Sequence, residues 1–215
     1  LPEARLPEWN WRVQAGLGKT ALALQQTETA LASLQNAVTI NPESLISQRS
    51  LSLAYRQANL NESAQDSARA ALALAPDEIP NLIWFCEFMG SVGAEDEAVE
   101  GYRVARQLAP ERVDLAVKLA EACLAKGDLE ETHSVLEQAS QMERIDAEEL
   151  RQVAHAYMRM GDHSHALASM ERAVQANVDN NPGYLFELAD LYAKAGDLEK
   201  SLETIQKAIR EQPGR

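Results

Sequence analysis

The chain has 215 residues with 20 Lys and Arg against 33 Asp and Glu, a net charge of −13 at pH 7. Nucleic acids and anionic membrane surfaces are bound mainly by Lys and Arg, so this balance argues against both as partners. Hydrophobic residues at 46% and charged residues at 25% are ordinary for a globular chain, and the length suffices to bury a core.

Residues 1–10 read as an N-terminal extension. They open on Leu1-Pro2 without a Met or a signal-peptide pattern, so the expectation is an excised domain or a processed product. From Trp11 onward an internal period organises the sequence. Pro42, Pro76 and Pro110 stand thirty-four residues apart, and the step divides the chain into units 11–44, 45–78, 79–112, 113–146, 147–181 and 182–215. Columns from which the period was not built obey it as well. The twenty-seventh position is Ala37, Ala71, Ala105, Ala139, Ala173 and Ala208. The twentieth is small (Ala30, Ala64, Ala98, Thr132, Ala166, Ser201), as is the eighth (Gly18, Ser52, Cys86, Ala120, Ala154, Ala189). The seventh is large and apolar, with Leu17, Leu51, Phe85, Leu119, Val153 and Leu188.

Each unit predicts two helices. In the last, Leu185, Leu188, Ala189 and Tyr192 recur on one helical face, and Leu198, Leu202, Ile205 and Ile209 do so again. Gly127-Asp128, Gly161-Asp162 and Gly196-Asp197 separate the two: a glycine ends the first helix left-handed and an aspartate caps the second. Gly93-Ala94 is a variant of that pair. Small columns let helices approach, and large ones fill the space between them.

Several local motifs invite a chemical reading. In the first unit, Gly16-Leu17-Gly18-Lys19-Thr20 looks like the end of a phosphate-binding loop, but Val13 stands where a glycine is required and the segment lies inside a predicted helix. Wholly apolar stretches, such as Leu82-Ile83-Trp84-Phe85-Cys86 in the third unit, are too short to cross a bilayer. Cys86 and Cys123 lack metal or redox spacing and read as buried thiols. In the fifth unit His163 and His165 beside Asp162 lie two apart on a helix with no third ligand at helical spacing, and His133 belongs to another unit, so solvated histidines are expected and no metal site. No catalytic set of residues and no cofactor is indicated.

These residues resemble the tetratricopeptide repeat, a thirty-four-residue helix–turn–helix with a large-large-small-aromatic first helix and an Ala-and-Pro-marked second. The last unit matches best, through Leu185, Leu188, Ala189, Tyr192, Gly196, Asp197, Ala208 and Pro213, and the resemblance covers residues 11–215. Ala21, Met89 and Cys123 stand where an aromatic is usual, and Arg144 and Val178 replace the proline, which leaves the turns of the fourth and fifth units open. The resemblance implies an all-α, right-handed superhelical solenoid acting as a non-catalytic scaffold for a protein or peptide partner.

In proteins of this kind the concave wall comes from the first helix of each pair, mainly at its second, fifth, ninth, twelfth and thirteenth positions. Here these include Arg12, Lys19, Arg49, Leu53, Arg56, Ile83, Glu87, Asp114, Val117, Glu121, Glu148, Arg151, His155, Met158, Arg159, Phe186, Asp190 and Lys194. Seven of them are basic and five acidic, so the rest of the chain carries −15 of the total of −13. An extended peptide with acidic side chains or a free carboxylate is therefore the expected ligand, across Arg12, Lys19, Arg49 and Arg56 and across Arg151, His155 and Arg159. The competing reading has the arginines solvated or paired with Glu87, Glu121 and Glu148. The ninth position holds no asparagine, which disfavours the family's carboxylate clamp for chaperone tails. At the C-terminal end, Leu191, Leu202, Ile205 and Ile209 are expected to be partly uncovered. Self-association there, or the positioning of a neighbouring domain, is the alternative function. Low cysteine use and the lack of a signal pattern fit a cytoplasmic setting.

Overall fold

The computed structural model describes residues 10–177 and 181–211. Among the described residues there are twelve α-helices and no strand, an all-α solenoid of helix–turn–helix units. In chain order the helices are α1 (Asn10–Ala23), α2 (Thr27–Ile40), α3 (Leu45–Gln57), α4 (Asn61–Leu74), α5 (Ile79–Ser91) and α6 (Glu95–Leu108). They continue with α7 (Val113–Lys126), α8 (Leu129–Ser140), α9 (Ala147–Met160), α10 (His163–Ala176), α11 (Gly183–Lys194) and α12 (Leu198–Glu211). The chain divides into two compact units, residues 1–101 and 102–215. Val178 and Pro213, singled out in the sequence, lie outside the described residues.

The repeating columns are buried because they are where helices meet. All six alanines of the twenty-seventh position are sealed, and so are the small residues of the eighth and twentieth. Gly18 shows why size matters there: a Cβ on it would come within 2.4 Å of Leu34 Cγ. The large seventh position is buried in five units, but Leu17 of α1 is half exposed. Among the described residues α1 is the first helix, and it packs chiefly on α2 and α3. In the first unit Ala21, Ala30, Leu34, Leu51 and Ala54 form one core cluster. In the second, Leu150, Ala154, Met170, Ala173, Leu188, Leu191 and Tyr192 form another.

Turns follow the sequence where glycine is present. Gly127, Gly161 and Gly196 take φ of 86–87°, and Gly93 takes 77°. Asp128, Asp162 and Asp197 then accept the N–H groups of Glu131, His165 and Lys200 at 3.0–3.1 Å. In the first two repeats Gln25 and Asn59 adopt the same left-handed conformation without being glycine, both at φ 58°. Where Arg144 replaces the proline, α9 starts instead on a capping box: Asp146 accepts the Glu149 N–H at 2.8 Å and Glu149 accepts the Asp146 N–H at 2.9 Å.

Two helix-bridging ion pairs make stability pH-dependent. In the first unit Arg69 of α4 grips Glu97 of α6 at 2.7 Å, and in the second Arg103 of α6 grips Glu131 of α8 at 2.6 Å. The arginine hydrogen bonds hold both carboxyl groups below their ordinary value of 4.5. A depressed folded pKa means stability that is complete above the ordinary value and drains as pH falls through the lower folded one. The urea midpoint is therefore expected to fall as pH drops below about 4.5, and less steeply in Arg69→Gln/Arg103→Gln; parallel curves for the two proteins would contradict this.

Candidate functional site

The sequence-predicted wall residues sit on first helices, and each unit gathers its own set. In the first unit Arg49 and Arg56 are seven residues apart on α3, two turns along one face. The Arg49 Nε donates to Asn81 Oδ1 at 3.1 Å, its Nη2 donates to the same oxygen, and the guanidinium carbon lies 4.6 Å from the centre of the Trp84 ring. Arg56 Nη1 donates to Ser91 Oγ at 2.7 Å, and its guanidinium lies 5.4 Å from the Phe88 ring centre. Trp84 and Phe88 of α5 stack at 5.5 Å, so two arginines are seated over two rings. Burial pulls the Arg49 pKa below its usual value, while Glu78 pushes it back up.

Leu53 and Arg56 line a cleft of about 490 Å³ with Leu22, Ala23 and Gln57. Arg12, which lies 5.3 Å over the ring of Trp11, and the exposed Lys19 are on α1 outside that lining. Ile83 is half-buried and Glu87 exposed on α5. The glycine-rich segment is helical throughout: Gly18 is a buried packing position and Thr20 Oγ1 donates back to Gly16 O at 3.0 Å. Backbone N–H groups committed to a helix do not form a phosphate cradle. Cys86 and Cys123 are buried thiols, and burial, with Glu131 nearby, pushes Cys123 up to about 12.

The second unit holds the larger concavity, a cleft of about 760 Å³ built from α7, α9 and α11. Glu121, Arg151, His155, Arg159 and Phe186 all line it, together with Asp114, Val117, Met158, Asp190 and Lys194. Lys118, Gln152 and Glu187, which the sequence reading passed over, line it too. All three occupy the sixth position of their repeats, a column that holds Gly16, Ser50 and Trp84 in the first three repeats and long polar side chains in the last three. That shared position was the signal available in the sequence.

Glu187 changes the electrostatics. Its Oε1 accepts from Arg151 Nη1 at 3.0 Å and its Oε2 lies 2.8 Å from His155 Nε2. Arg151 also grips Glu148 at 2.6 Å, Arg159 pairs with Glu121, and Lys194 pairs with Asp190 at 2.7 Å. The Arg151 hydrogen bond, and then one donated by the Tyr184 hydroxyl, holds the Glu148 carboxyl low despite partial burial. Lining cations (Lys118, Arg151, Arg159, Lys194) equal lining carboxylates (Asp114, Glu121, Glu187, Asp190), four of each. The excess positive charge of the predicted wall therefore lies in the first unit, where Arg12, Lys19, Arg49 and Arg56 outnumber the one acidic wall residue, Glu87.

At the C-terminal end Leu202 and Ile209 are 58% and 60% exposed and Ile205 is half-buried. Leu191 departs from expectation. It is buried, because α11 turns it into the cluster of Leu150, Met170 and Leu188 rather than toward the end of the chain.

The family model described as tetratricopeptide repeat matches residues 16–79 and 153–215, more than half of the chain. The protein is a tetratricopeptide repeat protein. Repeats of this family serve in general as protein-interaction scaffolds and are typically non-catalytic. A solved tetratricopeptide repeat protein of Parabacteroides merdae is similar at 16% identity and a TM-score of 0.55, over 97% of this chain and 81% of that one. PilF of Pseudomonas aeruginosa is similar at 20% identity and 0.54, over 96% and 93%. PilW, a type IV pilus biogenesis factor, is similar at 15% identity and 0.54, over 95% and 94%. These likenesses concern the fold. No curated protein matches the sequence. No helix among the described residues is long and apolar enough to cross a membrane.

Proposed function

We propose that this tetratricopeptide repeat protein is a non-catalytic scaffold that holds an extended segment of a partner protein along its first helices, with the α7–α9–α11 cleft as the principal seat. The observation that carries this reading is the composition of the cleft. Apolar side chains from all three helices, Val117, Met158, Phe186 and Leu191, are flanked by mutually paired charges, and Phe186 is half exposed with room for a side chain against it. Such a surface anchors an apolar residue and offers both donors and acceptors to the peptide backbone. Paired groups of this kind orient a ligand without activating a nucleophile.

The acidic-ligand reading is favoured in the first unit, where Arg49 and Arg56 rest on neutral partners, Asn81, Ser91 and two rings. In the second unit an acidic segment has to displace Glu187, Glu148 and Glu121 from the arginines first. A display library of random peptides selected on the protein tests both parts. Phe186→Ala/Met158→Ala is expected to weaken selected peptides at least tenfold by fluorescence anisotropy, and Arg49→Glu/Arg56→Glu to weaken the acidic ones selectively. Unchanged affinity in the first variant would sink the cleft as the seat. A structural, self-associating module is the second reading, favoured by the exposure of Leu198, Leu202 and Ile209 on α12. Light scattering of the same preparations decides it, since a strict monomer removes it.

A further inference from the structure

We propose that His133, Asp162 and His165 form a binding site for a divalent transition-metal ion of the zinc class on the second unit. In sequence the two histidines are thirty-two residues apart, in different repeats. The fold brings α8 against the turn that starts α10, and the three ligand atoms, one from each residue, all lie within 4.8 Å of one another. His165 Nδ1 is 2.7 Å from Asp162 Oδ2, and His133 Nε2 is 3.7 Å from the same oxygen. Ligands about 2.0–2.1 Å from a tetrahedral zinc ion stand roughly 3.3–3.4 Å apart. The two separations to Asp162 bracket that value, and the widest in the cluster, up to 4.8 Å, closes to it by imidazole shifts that sum to about 1.4 Å.

The site is oriented before any ion arrives. Gly161 ends α9 in the left-handed conformation at φ 87°, which places Asp162 at the start of α10. Asp162 Oδ1 is taken up by the His165 N–H at 3.1 Å and the Ser164 hydroxyl at 3.2 Å, so Oδ2 is the oxygen turned to the two imidazoles. Beneath them lies Tyr157, 1% exposed, with its ring 5.2 Å from that of His165 and 5.9 Å from that of His133. The two imidazoles meet edge to face at 4.8 Å. Side-chain exposures of 33% for His133, 18% for Asp162 and 49% for His165 leave the cluster reachable by a hydrated ion and leave water to complete its coordination. Two imidazoles and one carboxylate select zinc, nickel, cobalt or copper over calcium and magnesium, which require oxygen ligands. A bound ion would tie the second helix of one repeat to the turn of the next.

Zinc chloride titrated into the untagged full chain tests this by calorimetry and thermal melting. One equivalent of Zn²⁺ is expected to bind, with a rise in melting temperature by linkage. His133→Ala is expected to lose at least tenfold in affinity and to lose that rise. Asp162→Asn, which keeps an oxygen to cap α10 but removes the charge, is expected to weaken Zn²⁺ as well while circular dichroism stays that of the parent. His163→Ala is expected to bind as the parent does, because His163 lies outside the cluster with its Nδ1 3.4 Å from Met158 Sδ. Absence of saturable binding to the parent would overturn the proposal and leave the cluster as a histidine–aspartate ion pair. Undiminished binding to His133→Ala would overturn it equally.

Discussion

Asn81→Ala is expected to lower the unfolding free energy of the first unit by roughly 2–4 kcal/mol. The side chain is fully buried, and its amide donates to Ala71 O at 3.1 Å and to Ala75 O at 2.9 Å. Both carbonyls belong to the end of α4. The Ala75 N–H turns to Leu72 O, which leaves Ala71 O without its helical donor, so an amide from the next repeat supplies what the helix end lacks. The other face of Asn81 accepts Arg49. Removing the side chain strands two carbonyls and a guanidinium at once. Tryptophan fluorescence in a urea titration measures it, since Trp9, Trp11 and Trp84 all fall within residues 1–101. Asn81→Asp separates the contributions: it retains an acceptor for Arg49 but sets oxygen against both carbonyls. A loss comparable to that of alanine assigns the cost to the helix end, and near-parental stability assigns it to Arg49.

Tyr157→Ala is expected to cost the second unit about 3–5 kcal/mol, the range for deleting a buried aromatic ring. Burial pushes its hydroxyl up to about 12, with Glu137 and Asp162 adding to it, so the group is neutral at physiological pH and acts through its ring. Tyr157→Phe preserves the ring and is expected to stay within about 1 kcal/mol of the parent. Circular dichroism against urea reads both. A small loss in the alanine variant would mean that the ring's neighbours in α8 and α10 close over the space.

The architecture was legible because it repeats. Six alanines in one column, with glycine and aspartate between helices, specify helix pairs whose contacts recur every thirty-four residues. Most of the residues that line the α7–α9–α11 cleft were legible for the same reason, since a position in a repeat is a position in space. The sixth column was missed because a lysine, a glutamine and a glutamate at one place look like a solvated face. Leu17 and Leu191 were misplaced because the period marks a column and carries no information about which neighbours a particular side chain meets.

Composition and period by themselves determined the all-α fold and its build from repeated helix pairs. What the tertiary structure decided is who answers whom across repeats: Glu187 between Arg151 and His155, Asn81 at the end of α4, and His133 beside Asp162 and His165. The physical reason is range. Burial and turn formation depend on spacings of a few residues, which a sequence displays, whereas hydrogen bonds and ion pairs about 2.6–3.2 Å long depend on rotamers chosen by residues some thirty positions away. The charge of −13 is a property of the whole chain; the neutral cleft and the arginines over Trp84 and Phe88 are properties of its packing.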